Sequence, residues 1–281
     1  MTACPAPAST YDFIAGRLPL LVSIPHLGTQ VPPELHASLA DVAALRQDTD
    51  WHLDRLYAFV RGMGASVIQA RVSRYVIDLN RPPGGESLYP GQTTTGLCPL
   101  ETFRGEPLYR PGCEPDAAEQ ARRLEHYWQP YHRQLCQELD RLKAAHGAVL
   151  LWDAHSIASR LPRLFDGRLP DLNFGTADGR SCDASLTQAV VRALSGDAGQ
   201  AGHPAPYSHV VNGRFKGGYI TRHYGDPAAG VQAIQLEMSQ ALYMDEDAPF
   251  GYDETRAAAL QPWLRRLLDA ALQQLGRLGA R

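Results

Sequence analysis

The sequence has 281 residues, of which 44% are hydrophobic and 20% are charged, and its formal net charge is -3. This composition is typical of a globular protein. Lys and Arg never cluster beyond a pair, so the sequence does not favour nucleic acid as a partner. It does not favour a membrane either, because no apolar stretch approaches the ~20 residues that span a bilayer. Its five cysteines are widely spaced, which argues against a disulfide scaffold. We therefore expect a small-molecule ligand, and the absence of a signal-like start (MTACPAPAST) favours the cytoplasm.

Short apolar strands alternate with helices along the chain. In chain order, we predict a strand at 18–25, a helix at 50–62, strands at 66–71 and 75–79, a helix at 116–145 that is interrupted near Pro130, strands at 148–153 and 231–236, and a closing helix at 256–278. The strands are continuous apolar runs, so they favour an α/β sheet covered on both faces. Residues 82–113 form a predicted long loop. With no linker or repeat, residues 1–281 are expected to form a single domain.

Polar side chains follow three of the predicted strands. His26 follows the first strand, His155 comes shortly after the strand at 148–153, and Glu237 directly follows the strand at 231–236. In open α/β sheets, ligands bind at the carboxyl ends of strands. Each residue alone also has a structural explanation, such as a packed histidine or a glutamate paired with an arginine.

The segment that starts the helix at 50–62 adds further candidate ligands, namely Asp48, Asp50 and His52. Two histidines and a carboxylate make a three-ligand metal site that leaves a fourth position for water. The two aspartates can also simply stabilise a helix N-terminus. Glu237, as a further unligated carboxylate, suits a general base, because desolvation at the end of an apolar strand should raise its pKa toward neutrality.

The predicted strand at 75–79 lies in a polar setting. Alternation along this segment places Arg74, Asp78 and Asn80 on one face, and Arg81 follows at its end. Two guanidiniums and an amide can bind a carboxylate ligand. Alternatively, Asp78 forms an ion pair with one arginine and leaves the other for the substrate.

The stretch 212–222 combines glycines with three cations, one of which is Arg222. It lacks the spacing of a phosphate-binding loop. Its composition fits either a positively charged lid or a basic surface turn.

Several longer motifs resemble those of the N-formylglutamate amidohydrolase family, over roughly residues 20–249. They are IPHLG at 24–28, DTDWHLDRLY at 48–57, SRYVIDLNRPP at 73–83, LYPGQTTTGLCP at 88–99, WDAHSIASRLPRLFDGRLPDLNFGT at 152–176, NGRFKGGYITRHYG at 212–225 and QLEMSQ at 235–240. The resemblance implies a three-layer αβα mixed sheet, phosphorylase/hydrolase-like and similar to zinc carboxypeptidases. It also implies hydrolysis of N-formyl-L-glutamate to formate and L-glutamate, the last step of a histidine degradation route.

The resemblance also implies roles for individual residues. His26, Asp50 and His155 are the expected ligands of a divalent metal, for which zinc is the expectation, and Asp48 and His52 remain alternatives to Asp50. Glu237 is the expected general base. The residues expected to bind the substrate's carboxylates are Arg74, Asn80, Arg81 and Arg222.

Other functions fit the same residues. An amidase for another N-acyl amino acid and a non-catalytic protein that binds a metal or an acidic metabolite are the alternatives. The sequence leaves open the identity of the metal, since histidine and carboxylate ligands also accept iron, cobalt, nickel or manganese. It also leaves open the oligomeric state and which arginine holds which carboxylate.

Overall fold

The computed structural model describes residues 9–89, 91–195 and 207–279. Its strands are β1 (Tyr11–Ile14), β2 (Leu20–Ile24), β3 (Ser66–Ala70), β4 (Val149–Ile157), β5 (Leu172–Gly175), β6 (His209–Val211) and β7 (Val231–Ser239). They form one seven-stranded sheet in the order β1-β3-β2-β4-β7-β5-β6. The central strands β3, β2, β4 and β7 are parallel, whereas β1 is antiparallel to β3 and β5 is antiparallel to β7. The sheet is therefore mixed.

Helices cover both faces of this sheet. They are α1 (Leu53–Leu56), α2 (Phe59–Met63), α3 (Ala117–Arg123), α4 (Gln129–His146), α5 (Ala184–Arg192), α6 (Tyr219–Tyr224) and α7 (Glu254–Gly279). Short 3-10 segments lie at Pro33–Leu35, Asp41–Leu45, Pro227–Ala229 and Gln240–Leu242. On one face, Trp152 packs in a core that includes Leu264 of α7. On the other, Leu151 packs in a core that includes Leu135 of α4. The predicted three-layer α/β class is confirmed.

Because β4 and β7 are buried on both faces, their first parts are apolar runs, which is why the sequence predicted them as strands. Every residue of both strands is buried. Both strands, however, continue beyond their predicted ends, to Ile157 and to Ser239. His155 and Glu237 consequently lie inside the strands rather than after them, and they face each other in the β4–β7 register.

Two predicted elements differ in the structure. The strand predicted at 75–79 is wrong: Val76 N donates to Ser73 O at 2.9 Å and Asp78 N donates to Leu97 O at 2.7 Å, so turns and a loop contact replace a ladder. The helix predicted at 50–62 is divided into α1 and α2, and the chain leaves α2 at Gly64, whose φ of 96° suits a residue without a side chain.

The helix predicted at 116–145 is present as α3 and α4, and a π-helical turn at Leu124–Trp128 is the irregularity before Pro130. The closing helix is α7. The predicted long loop at 82–113 is described except for residue 90. Its described residues form isolated bridges but no helix or longer strand. None of the described helices is both long and apolar enough to cross a membrane. Because all described strands belong to one sheet, we propose that the chain is a single domain.

Candidate active site

A buried cluster of two histidines and one aspartate lies at the carboxyl edge of the central strands. His26 follows β2, His155 belongs to β4, and Asp50 lies in the loop before α1, where its backbone N donates to His26 O at 3.0 Å. One ligand atom from each of the three residues lies within 4.8 Å of the other two. Asp50 Oδ2 is 3.0 Å from His155 Nδ1 and 3.7 Å from His26 Nδ1. The two Nδ1 atoms and the Asp50 carboxylate therefore point at a common position.

Further carboxylates hold the outer nitrogens of both imidazoles. His26 Nε2 donates to Asp78 Oδ1 at 2.6 Å, and His155 Nε2 lies 3.1 Å from Asp153 Oδ2. Such outer hydrogen bonds are typical of metal-binding histidines, because they orient the ring and leave the other nitrogen for the metal. The pattern of donors therefore fits a metal bound through Nδ1 of both rings.

The electrostatics of this cluster also fit a cation. Burial alone would lower the pKa of His155, but Asp153 and Asp50 on its two sides raise it well above the usual range. Burial alone would raise the pKa of Asp50, but hydrogen bonds from His155 and His26 hold it below the usual range. The two carboxylates thus favour positive charge beside His155, in a position that a divalent metal can take. Two imidazole nitrogens and one carboxylate oxygen suit Zn²⁺.

Asp48 and His52, the two alternatives to Asp50, do not belong to this cluster. Asp48 Oδ2 accepts a hydrogen bond from Phe103 N at 2.8 Å, and burial raises the pKa of the Asp48 carboxyl to about 6. His52 Nε2 is engaged with Phe250 O at 2.7 Å. Among the described residues, Asp50 is the carboxylate that meets both histidines.

Glu237 lies on β7 beside His155 and lines the same cavity. Burial raises the pKa of its carboxyl to about 8, against the lowering effects of His155 and Arg74. Gln235, two residues earlier on the same face of β7, donates to Glu237 Oε2 at 3.3 Å and accepts from Gly218 N at 2.6 Å. Gln235 was not predicted as a site residue, although the two-residue period of a strand indicates it.

The segment 73–81 brings its polar residues to the site through turns rather than through strand alternation. Arg74 Nη2 donates to Asp78 Oδ2 at 2.8 Å, so the local ion pair considered as an alternative is present. Burial alone would raise the pKa of Asp78, but the charges of His26, Arg81 and Arg74 hold it well below the usual range. The Arg74 guanidinium also lies beside the cluster, with Nη1 3.7 Å from Asp50 Oδ1. Asp78 thereby links an arginine to a histidine of the cluster.

The side-chain amide of Asn80 makes its contacts with other residues of the protein. Its Nδ2 donates to Asp153 Oδ2 at 3.0 Å and lies 2.9 Å from His155 Nε2, and its Oδ1 accepts from Ile220 N at 2.7 Å. A side chain at Gly218 would collide with this amide, because a Cβ there would lie 2.4 Å from Asn80 Nδ2. Asn80 thus joins β4 to the start of α6, although it was predicted to bind the substrate.

A cavity of about 580 Å³, open to solvent, extends outward from the cluster. It is lined by His26, Arg74, Asn80, Arg81, Tyr89, Thr93, Thr94, Thr95, Phe103, His155, Ser156, Ile157, Leu164, Arg214, Phe215, Gly218, Gln235 and Glu237. Arg81 donates from Nε to Thr95 O at 2.8 Å, and its Nη1 is 3.8 Å from Asp78 Oδ2. The cavity therefore offers positive charge next to the cluster.

The stretch 212–222 holds two arginines in different positions, and the predicted substrate contact of Arg222 stays a prediction. Arg222 is outside the cavity lining, and its Nε donates to Gly217 O at 2.8 Å. Arg214 lines the cavity instead. The stretch is neither a free lid nor a simple surface turn, because Tyr89 contacts it twice, accepting from Lys216 N at 3.0 Å and donating to Gly217 O at 2.9 Å.

Together, the fold and the site define a mixed-sheet α/β protein with a candidate metal centre at the base of a cationic cavity. A model of the N-formylglutamate amidohydrolase family matches residues 18–244. The chain belongs to the N-formylglutamate amidohydrolase family.

Individual relatives agree with this assignment. N-formylglutamate deformylases of Pseudomonas aeruginosa and Pseudomonas putida are 52% and 50% identical to the chain, and each comparison covers 93% of this chain and 95% of the relative. A crystal structure of an N-formylglutamate amidohydrolase from Ralstonia eutropha is 26% identical and superimposes with a TM-score of 0.76, over 96% of this chain and 98% of that one. The resemblance stated from the motifs is confirmed.

Proposed function

We propose that this protein hydrolyses N-formyl-L-glutamate to formate and L-glutamate and that a divalent metal, expected to be zinc, is required. The observation that carries the proposal is the convergence of His26 Nδ1, His155 Nδ1 and the Asp50 carboxylate at the base of a cationic cavity that also contains a buried glutamate. The names of the two deformylases point to the substrate. Family membership alone supports the further proposals of a histidine degradation route and a cytoplasmic location.

His26, Asp50 and His155 would hold the metal. A bound divalent ion supplies Lewis-acid polarisation of the formyl carbonyl and lowers the pKa of a water molecule. The protein's own part begins with Glu237, which takes a proton from the attacking water and returns it to the leaving amine. Its burial supports this role, because desolvation moves the pKa of the carboxyl up to about 8, into the range in which a carboxylate accepts a proton readily.

Arg74 suits the stabilisation of negative charge on the formyl oxygen. Its guanidinium is buried at the base of the cavity, with Nη1 3.2 Å from His26 Nδ1. Asp78 fixes that guanidinium from the opposite side through Nη2. A donor that is already oriented stabilises developing charge without reorganisation, which is the usual source of electrostatic catalysis.

Arg81 suits the α-carboxylate of the substrate. It lines the cavity, and Thr95 O and Asn80 O hold its guanidinium at 2.8 and 3.2 Å. Asn80, which also lines the cavity, suits a positioning role, since its amide contacts His155 and Asp153.

The direct experiment measures the free amino acid and the formate released from N-formylglutamate by the purified, metal-loaded protein, with N-acetylglutamate and N-formylleucine as comparison substrates that are followed through the free amino acid. The proposal predicts rapid formate release and much slower turnover of both comparison compounds. Faster hydrolysis of another N-acyl amino acid would favour the alternative amidase. Binding of N-formylglutamate without any formate release would favour the non-catalytic alternative.

A further inference from the structure

Arg214 is a cavity-lining arginine whose position is fixed by backbone carbonyls. Its Nε donates to Leu164 O at 2.8 Å and its Nη2 donates to Thr93 O at 2.9 Å. The guanidinium carbon also lies 5.6 Å from the centre of the Tyr89 ring and 5.3 Å from that of Phe215. These contacts orient the guanidinium and, among the described residues, engage two of its five N–H groups.

Arg214 has no ion-pair partner among the described residues. No described carboxylate lies within ion-pair distance of it, whereas Arg74 Nη2 lies 2.8 Å from Asp78 Oδ2 and Arg81 Nη1 lies 3.8 Å from the same oxygen. Burial lowers the pKa of the Arg214 guanidinium, Tyr89 and the Glu237 carboxylate oppose this lowering, and the positive charge of Arg81 adds to it. An anion in the cavity would offset both unfavourable effects.

Arg81 and Arg214 differ in how their contacts connect them to the candidate metal centre. Arg81 approaches Asp78, which itself holds His26. The hydrogen bonds and ring contacts of Arg214 are to the loops around Thr93 and Leu164 and to the aromatic wall of the cavity. Because Arg81 is linked to the cluster through Asp78, whereas Arg214 is held by the cavity wall, we assign Arg81 as the inner cation and Arg214 as the outer one.

We propose that Arg214 binds the side-chain carboxylate of the substrate and thereby selects N-formylated acidic amino acids. This inference rests on the proposed function, because it takes the scissile amide to lie at the His–Asp–His cluster. In N-formylglutamate, the α-carboxylate is attached to the carbon that bears the amide, and the side-chain carboxylate lies two methylenes farther out. The inner cation thus fits the first carboxylate, and the outer cation fits the second. A guanidinium oriented in advance binds a carboxylate with little loss of conformational entropy.

The test compares N-formylglutamate with N-formylglutamine, which keeps the shape and loses the side-chain charge. In metal-loaded Arg214→Gln, kcat/KM for N-formylglutamate should fall by roughly 10–100-fold, the size expected for one charge-assisted contact, while that for N-formylglutamine changes by less than about threefold. Arg214→Lys keeps the charge without the paired donors, so it should retain part of the preference. An equal loss on both substrates, or an unchanged preference in Arg214→Gln, would overturn the proposal.

Arg222→Gln tests the competing assignment. Arg222 lies over the same Tyr89 ring at 5.0 Å but outside the cavity lining, so its replacement should leave the preference unchanged. Loss of the preference in Arg222→Gln but not in Arg214→Gln would contradict the inference.

A binding experiment distinguishes failure of this inference from failure of the proposed function. Calorimetric titration of the two compounds into metal-loaded Glu237→Gln, with and without Arg214→Gln, measures the preference without turnover. A preference that disappears with Arg214 supports the subsite even if the wild-type protein releases no formate. Formate release combined with a binding preference that does not depend on Arg214 would refute the subsite alone.

Discussion

Replacing Glu237 with glutamine distinguishes three possible roles of this residue: a general base, a metal ligand and a structural carboxylate. Glutamine keeps the size of the side chain and can still contact Gln235, but it cannot accept a proton from water. Loss of a general base typically costs about 10²–10⁴-fold in rate, or about 3–5 kcal/mol in the activation barrier. We expect Glu237→Gln to bind metal and N-formylglutamate normally and to lose turnover by that factor.

The same variant has a predictable effect on stability. Burial raises the pKa of Glu237 from its ordinary value of 4.5 to about 8 in the metal-free protein. Between these values the folded state keeps a proton that the unfolded state has lost, so the free energy of unfolding decreases as the pH rises, by about 1.4 kcal/mol per pH unit. Glutamine cannot ionise and avoids this loss. Metal-free Glu237→Gln should therefore be more stable than the metal-free wild type at pH 8, by a few kcal/mol.

Urea denaturation at pH 8, metal analysis and a formate assay on one preparation measure all three properties. Glu138→Gln is a matched control, because Glu138 is also a buried glutamate but pairs with Arg141 at 2.8 Å and lies outside the cavity lining. The control should lose stability and keep the turnover of its folded fraction. Full activity in metal-loaded Glu237→Gln would refute the assignment of the base, and loss of metal from it would indicate a ligand.

Three further predictions concern the candidate metal centre. Asp50→Ala should lose bound metal and Asp48→Ala should retain it, as measured by elemental analysis after gel filtration; the reverse result would show that the wrong carboxylate was chosen. Metal affinity should fall as the pH is lowered, because the pKa of His155 is raised and a proton therefore competes with the metal for Nδ1. Calorimetry in buffers of different ionisation enthalpy should detect the release of this proton when the metal binds. Asp78→Asn removes the carboxylate behind His26 and should weaken metal binding by about 10–100-fold in a chelator competition, whereas an unchanged affinity would show that this contact is unimportant.

The sheet was largely predictable from the sequence because its central strands are buried on both faces. Continuous apolar runs such as 149–152 arise from that burial, and the starts of the central strands were placed within two residues. The ends of β4 and β7 were missed, because both strands continue through polar residues such as His155 and Glu237 that make their contacts in the site. The strand predicted at 75–79 was wrong because its alternating apolar side chains are buried in a segment of turns rather than in a paired strand.

The candidate site was partly predictable for a similar reason. Polar residues that interrupt apolar strands are conspicuous, and the structure brings His26, His155 and Glu237 into one cavity. The choice between Arg214 and Arg222 was not accessible, because it depends on the path of the glycine-containing stretch 212–218 before α6. Asp153, which contacts His155 from the same face of β4, was also overlooked, although its spacing of two residues indicates that position.

The most direct test of the central proposal is a metal titration of formate release. The purified protein is depleted with a chelator, its residual metal is quantified, and activity on N-formylglutamate is measured as Zn²⁺ or another divalent ion is returned. The His–Asp–His cluster predicts negligible activity without metal and recovery that saturates near one ion per chain, with no recovery in His155→Ala. Full formate release from the metal-free protein would contradict the proposed mechanism.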